Sequence, residues 1–277
     1  MEETDFWQTK TYKNQTFLNS PEARQIRILC ELTAPKKRFE NRQIENTIVF
    51  FGSARSKSKE AAAAELKTVV DKIKEAGSAV NELQTELKQA QNTVKLSKYY
   101  EASAQLAQKL TEWSLTIPDE AKRFYVCSGG GPGMMEAANL GAANAKGSSI
   151  GFNISLPMEQ RPNPYQTPDL SFEFHYFFIR KFWLVYLAKA MVALPGGFGT
   201  MDELFELLTL LQTKKVEKTI PIILFGTEYW ERVFNFDVLV EWGLINEKDL
   251  GLFRFFDDVD EAFVYLRDTL TEHYLKD

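Results

Sequence analysis

Residues 192–203 read V-A-L-P-G-G-F-G-T-M-D-E. The apolar run Met191–Leu194 stops at Pro195. Gly196, Gly197 and Gly199 follow, and from Thr200 the chain enters a helical segment over Leu204–Leu211. Strand, glycine turn and helix in that order form the building unit of an α/β fold. Glycine lets backbone approach a ligand closely, and the unpaired N–H groups at a helix start attract anions. The stretch reads as a phosphate cradle made by Gly196, Gly197, Phe198, Gly199 and Thr200. A plainer reading stays open beside it: Thr200 followed three residues on by Glu203 is also a capping box. No Gly-Lys-Ser/Thr follows, and Asp202 stands where G-x-G-x-x-G needs its last glycine, so a Walker loop and a dinucleotide fingerprint both lose support.

Working outward, Phe124–Cys127 reads as a strand, Ser128 to Gly133 (S-G-G-G-P-G) as a second glycine turn, and Met134–Ala145 as an Ala-rich helix. Thr47–Phe51 reads as the first core strand and ends in Gly52-Ser53-Ala54-Arg55. Spacing alone favours an ordinary turn there over an anion contact. Two strand–glycine–helix units in one sheet predict a doubly wound α/β fold with a parallel sheet and ligands at the carboxyl ends of its strands. Gly52, Ser53 and Arg55 of one turn, and Gly130 and Gly131 of another, lie at such ends and join the candidate binding residues. Further strands are expected at Ser149–Ile154, Ile220–Phe225 and Leu252–Phe256, and helices at Tyr229–Val240 and Asp258–Leu275.

Residues 57–97 differ in character. Apolar side chains at Leu66, Val69, Ile73, Ala76, Val80, Leu83, Leu87, Ala90 and Val94 step by three and four, a heptad seam. Gly77-Ser78 near the middle predicts an antiparallel helical hairpin inserted after the first strand, followed by a separate helix over Tyr99–Trp113. At the start, residues 1–19 read as an irregular arm. Ser20 then caps a helix with Pro21 in its first turn, an apolar face of Ile26, Leu29 and Cys30, and an end at Pro35. No linker divides the chain. The expectation is one unit over 1–277, with arm and helix in 1–45 and the insertion in 57–97.

Composition narrows the partners. The chain has 277 residues, 44% of them hydrophobic, and a net charge of −5. Without a basic stripe, nucleic acid is not expected as a partner. The two cysteines, Cys30 and Cys127, have no metal spacing, which points to a reducing, cytoplasmic setting. No apolar run of membrane-spanning length occurs. With His175 and His273 far apart in sequence, no metal site and no histidine triad are expected. Within the aromatic cluster Phe172–Tyr186, Arg180-Lys181 stands out. Charges among so much apolar surface need a partner, either a structural carboxylate or a ligand phosphate.

Three pieces together carry a resemblance: G-G-G-P-G-M-M-E-A-A-N (129–139), I-R-K (179–181) and P-G-G-F-G-T-M-D-E (195–203). Their order and spacing resemble the Lonely Guy (LOG) family of phosphoribohydrolases, long mislabelled lysine decarboxylases, from about Asn46 to the C-terminus apart from 57–97. The N-terminal helix resembles that of the longer bacterial members. The resemblance implies a Rossmann-like fold, at least a dimer, and hydrolysis of the N-glycosidic bond of a nucleoside 5′-monophosphate without cofactor or metal. By position it implies Arg180 and Glu203 as the catalytic pair, and Glu159, Lys181 and Gly196 to Asp202, including Met201, as substrate contacts. Two departures bear on base specificity: Phe177-Phe178 replace the Met-His of the hormone-activating members, and Gly-Ser-Ala-Arg replaces their Gly-Ser-Ser.

The chemistry follows from the bond. Cleaving a ribosyl C1′–N bond builds positive charge on the sugar, which a carboxylate near C1′ stabilises while accepting a proton from water. Glu203 is assigned that role, and a place in the first turn of a helix favours its ionised form. The rivals are a nucleotide-binding protein without turnover, a pyridoxal-phosphate decarboxylase using Lys181, and an assembly protein acting through the 57–97 hairpin.

Overall fold

The structure is a computed structural model describing residues 10–76, 81–156 and 161–276. Seven strands form one sheet: β1 (Asn46–Phe51), β2 (Phe124–Ser128), β3 (Ser149–Ile154), β4 (Ser171–Phe174), β5 (Ala188–Ala193), β6 (Ile222–Phe225) and β7 (Phe253–Phe256). Ten α-helices are described: α1 (Gln15–Leu18), α2 (Arg24–Asn41), α3 (Lys59–Ala76), α4 (Asn81–Leu115), α5 (Met134–Asn144), α6 (Phe177–Tyr186), α7 (Phe198–Gln212), α8 (Thr227–Val233), α9 (Phe236–Glu241) and α10 (Val259–Tyr274). The strand order is β4-β3-β2-β1-β5-β6-β7, with every pairing parallel. This is the doubly wound, Rossmann-like α/β architecture.

The strands are buried on both faces, which is why they read as continuous apolar runs. Their period-two alternation divides them between two cores. Val49, Phe51, Met191 and Ala193 face a layer containing Phe39 of α2, Trp183 of α6 and Leu204 of α7. Ile48, Phe50, Ala190 and Val192 face Leu106 and Leu110 of α4, Ala138 of α5 and Leu266 of α10.

Four expectations are corrected. Helix α2 does not stop at Pro35 but runs through it to Asn41. Proline cannot donate to the carbonyl four residues back, and that carbonyl, on Glu31, instead accepts Trp183 Nε1–H at 3.0 Å. The helix is also turned: Ile26, Leu29 and Cys30 are exposed, while Pro35 and Phe39 are buried. Second, α4 is a single helix from Asn81 to Leu115, where a hairpin arm and a separate helix were expected. At 1.5 Å per residue it is about 52 Å long. Its first half pairs with α3, with Val69 and Ala90 buried in the seam and Lys72 bonded to Glu86 at 3.3 Å. Its second half is the crossover helix between β1 and β2. The expected turn at Gly77-Ser78 lies outside the described residues. Third, Tyr229–Val240 is two short helices, broken at Phe234 and Asn235. Fourth, β4 was not foreseen, because its two phenylalanines read as part of the aromatic cluster.

Among the described residues, no helix is long and apolar enough to cross a membrane.

Candidate functional site

The sheet turns at β1. From there the chain builds outward through β2 to β4 on one side and through β5 to β7 on the other. The loops leaving β1 and β5 therefore diverge, and an open α/β sheet leaves its crevice at that point. A cleft of about 580 Å³ opens there. Gly52, Ser53 and Arg55 line one wall, and the start of α7 lines the other. The two loops are tied together, since the Ser53 N–H donates to Pro195 O at 3.0 Å.

Helix α7 begins at Phe198 with Gly197 as its N-cap, and no side chain caps it. The capping box left open as the plainer reading is not formed: Thr200 lies inside the first turn, and Met201 N–H is the first to bond back, to Gly197 O at 3.1 Å. The N–H groups of Phe198, Gly199 and Thr200 are left for another acceptor. The glycines differ among themselves. A Cβ at Gly196 would collide with the Thr200 side chain, whereas a Cβ at Gly197 or Gly199 would meet nothing within 4 Å. Protein packing explains the first glycine and not the other two. The Gly196 carbonyl accepts the Tyr229 hydroxyl, which fixes the loop from behind.

Because the helix starts at Phe198, Glu203 falls in its second turn, and the dipole effect fades beyond the first. The side chain lines the cleft yet is only 4% exposed, and its Oε2 has no hydrogen-bond partner. Burial pushes its pKa up to about 7, against the pull of the neighbouring Arg180 and Lys181 charges. The expected first-turn place, which favoured the ionised form, is corrected: Glu203 sits one turn further in, and desolvation outweighs the pull of the two cations.

Arg180 reaches the cleft from α6. Its Nε donates to Phe152 O at 2.7 Å and its Nη2 to Gly129 O at 3.5 Å. Burial lowers its pKa, opposed by the Glu203 charge, though a guanidinium stays protonated throughout. Among the described residues no carboxylate forms an ion pair with it within 4.0 Å. A half-buried cation held by two carbonyls favours a nearby anion.

Of the other candidates, Thr200 and Asp202 line the cleft with Gly197, Phe198 and Gly199. Lys181 does not: its ammonium bridges Asp202 at 2.9 Å and Glu206 at 2.8 Å. Although partial burial pulls its pKa down, hydrogen bonds to Glu206 and Asp202 hold it above the ordinary value. Gly196 and Met201 line an adjoining apolar groove of about 930 Å³ on the outer side of α7. Gly130 and Gly131 are buried away from the cleft. The Gly130 carbonyl accepts Gln166 Nε2 at 2.6 Å and Asn163 Nδ2 at 3.0 Å, and Gly131 O accepts Asn163 Nδ2 at 3.1 Å. Glu159 lies outside the described residues. Met135 lines the cleft without having been singled out, and Phe177, noted only as a departure bearing on base specificity, lines it too. Their signals were their places, one beside the second glycine turn and one just before Arg180. Among the described residues, no group of three or more His, Cys, Asp or Glu side chains could hold a metal ion.

Comparisons with known proteins bear on this same region. No curated protein matches the chain. A solved structure described as the X-ray structure of TM1055, a structural genomics target, aligns over 80% of this chain and 99% of its own, at 21% identity and a TM-score of 0.49. Residues 135–266 match the model of a family described as "possible lysine decarboxylase". That span holds Arg180, Glu203 and the whole of the 195–203 loop, and over it the chain is similar to that family.

Proposed function

We propose that the cleft hydrolyses the N-glycosidic bond of a nucleoside 5′-monophosphate, AMP or a cytokinin riboside 5′-monophosphate, to free base and ribose 5-phosphate. One observation carries this reading: a buried carboxylate, Glu203, shares a cleft with a half-buried Arg180 and an uncapped helix start holding two glycines at which a side chain would meet no protein atom. The phosphate sits on the N–H groups of residues 198–200. Arg180, already anchored on Phe152 O, supplies a fixed positive charge. Met135 and Phe177 form the apolar end that receives the base. Glu203 accepts a proton from the attacking water and stabilises the developing positive charge at C1′. A pKa near neutrality suits a group that must exchange protons within one turnover.

The decarboxylase in the family's description would be a different reaction. A pyridoxal-phosphate decarboxylase needs a lysine free to form a Schiff base. Among the described residues no lysine lines the cleft, and Lys181 is held by two carboxylates, so the residues present do not fit that cofactor. Assembly as a homo-oligomer, at least a dimer, belongs to the same proposal. It is supported by the exposed aromatic side chains of α6: Phe177, Phe178, Phe182 and Tyr186.

The test is release of free base and ribose 5-phosphate from AMP, GMP, CMP, IMP and isopentenyl-AMP. Glu203→Gln should retain nucleotide binding and lose about 10²-fold or more in turnover. Wild-type turnover in that variant rejects Glu203 as the base.

A further inference from the structure

A second cavity, of about 840 Å³, adjoins the cleft on the far side of the β1 loop. Ser53 and Arg55 line both spaces. Pro195, whose carbonyl accepts the Ser53 N–H, belongs to this second cavity, so the joined β1 and β5 loops stand between the two spaces. One flank is the projecting half of α4, through Gln89, Asn92, Thr93 and Lys95, and the other is α8, through Glu228 and Arg232. This trench exists because α4 continues outward past the sheet.

Its charge is unbalanced. Lys95 and Arg232 in the trench, and Lys98 outside its lining, all converge on the single carboxylate of Glu228, at 3.1, 3.9 and 3.9 Å. These cations hold the Glu228 pKa below the usual carboxylate range, with the Lys95 hydrogen bond the leading cause. Arg55 adds a further cation on the ridge and forms no ion pair among the described residues. Solvent-exposed pairs of this kind are weak, so the cations can turn to a stronger anion at little cost.

The direction of the trench identifies what it takes. In the reading above, the base lies toward Met135 and Phe177, and the 5′-phosphate lies at the α7 start, beside Ser53 and Arg55. A group attached beyond that phosphate passes over the Ser53–Arg55 ridge into the trench. The excess positive charge selects an anionic group rather than a second base. We propose that this trench is a subsite for the phosphates beyond the first, so that the ligand class extends to nucleoside 5′-di- and triphosphates. The orientation of the ligand rests on the hydrolase reading; the anion preference of the trench does not.

The experiment measures equilibrium binding of AMP, ADP and inorganic tripolyphosphate at low salt. The proteins are the wild type, the double variant Lys95→Gln/Arg232→Gln, and Glu228→Gln. ADP should bind about tenfold or more tightly than AMP to the wild type, the effect of one added charge-assisted contact. That ratio should fall to about one in the double variant and rise in Glu228→Gln. Equal affinity for AMP and ADP in the wild type, or a ratio unmoved by the double variant, overturns the subsite. If AMP is neither bound nor cleaved, the hydrolase reading fails separately. Tripolyphosphate then decides: binding lost in the double variant upholds the anion site, and absent or unaffected binding removes it.

Discussion

The chain carries two glycine-rich turns at the carboxyl ends of parallel strands, and they serve opposite ends. The turn after β2 is packed from within. Gly129 abuts Arg180, Gly130 has φ +74° and faces Asn153, and Gly133 has φ +74° and faces the Ser53 carbonyl. Every one of these glycines is explained by a protein neighbour. The turn after β5 is different: Gly197 and Gly199 face open space, and neither has positive φ. Nothing in the protein requires glycine there. The difference teaches that a glycine count does not mark a ligand site; clearance without a protein reason does.

The largest expected effect breaks the packed turn. Gly130→Ala forces a side chain into positive φ and into Asn153, which donates to Phe172 O at 2.9 Å. A loss of about 3–4 kcal/mol in denaturant unfolding is expected. A loss under 1 kcal/mol would show the turn to be far more yielding than its packing suggests.

Next in size is the carboxylate beneath the open turn. Its folded-state pKa, pushed up to about 7, lies above its value in the unfolded chain. The native state therefore holds the proton more tightly, and stability falls as pH rises from the ordinary carboxylate range through about 7. Glu203→Gln removes this penalty. The variant should gain stability over wild type at pH 8, on the order of 3 kcal/mol at most, and little at pH 4.5. An equal gain at both pH values would mean that Glu203 does not titrate as described. In catalysis, kcat/KM should rise with pH through the same region, as expected of a general base.

The smallest effect probes the open turn directly. Gly199→Ala lies within the first turn of α7 and meets no protein atom. It should leave stability unchanged or raise it by about 0.5–1 kcal/mol while weakening AMP binding about tenfold. Unchanged AMP affinity would erase the contrast between the two turns.

Much of this fold was legible because its physics is local. Strands buried on both faces read as apolar runs, and glycine marked where they turn into helices. Edge strand β4 was hidden because Phe172 and Phe174 merged into a longer aromatic cluster. The unity of α4 was hidden because its heptad seam passes into an ordinary amphipathic face with no proline or glycine to mark the change. Arg180 and Glu203 were named together only through the resemblance of their motifs to a known family, and the fold brings both to one cleft. The protonation of Glu203 was not, because it depends on burial, which only the assembled cleft creates. For Lys181 the sequence left a structural carboxylate and a ligand phosphate both open, and the choice fell to carboxylates only once α6 and α7 brought Asp202 and Glu206 to it.

The α3–α4 arm has a kinetic consequence. Strands β1 and β2 are neighbours at the heart of the sheet, yet the whole arm lies between them in sequence. Lys59 N–H donates to Glu101 Oε1 at 2.9 Å, so the foot of α3 is pinned to the middle of α4. A hairpin of adjacent helices forms on the microsecond scale or faster. Once formed, it short-circuits the connection and roughly halves the chain length that must close, worth about 0.7 kcal/mol of entropy. Early arm formation brings the central strand pair within reach, and destabilising the arm should slow refolding more than it speeds unfolding.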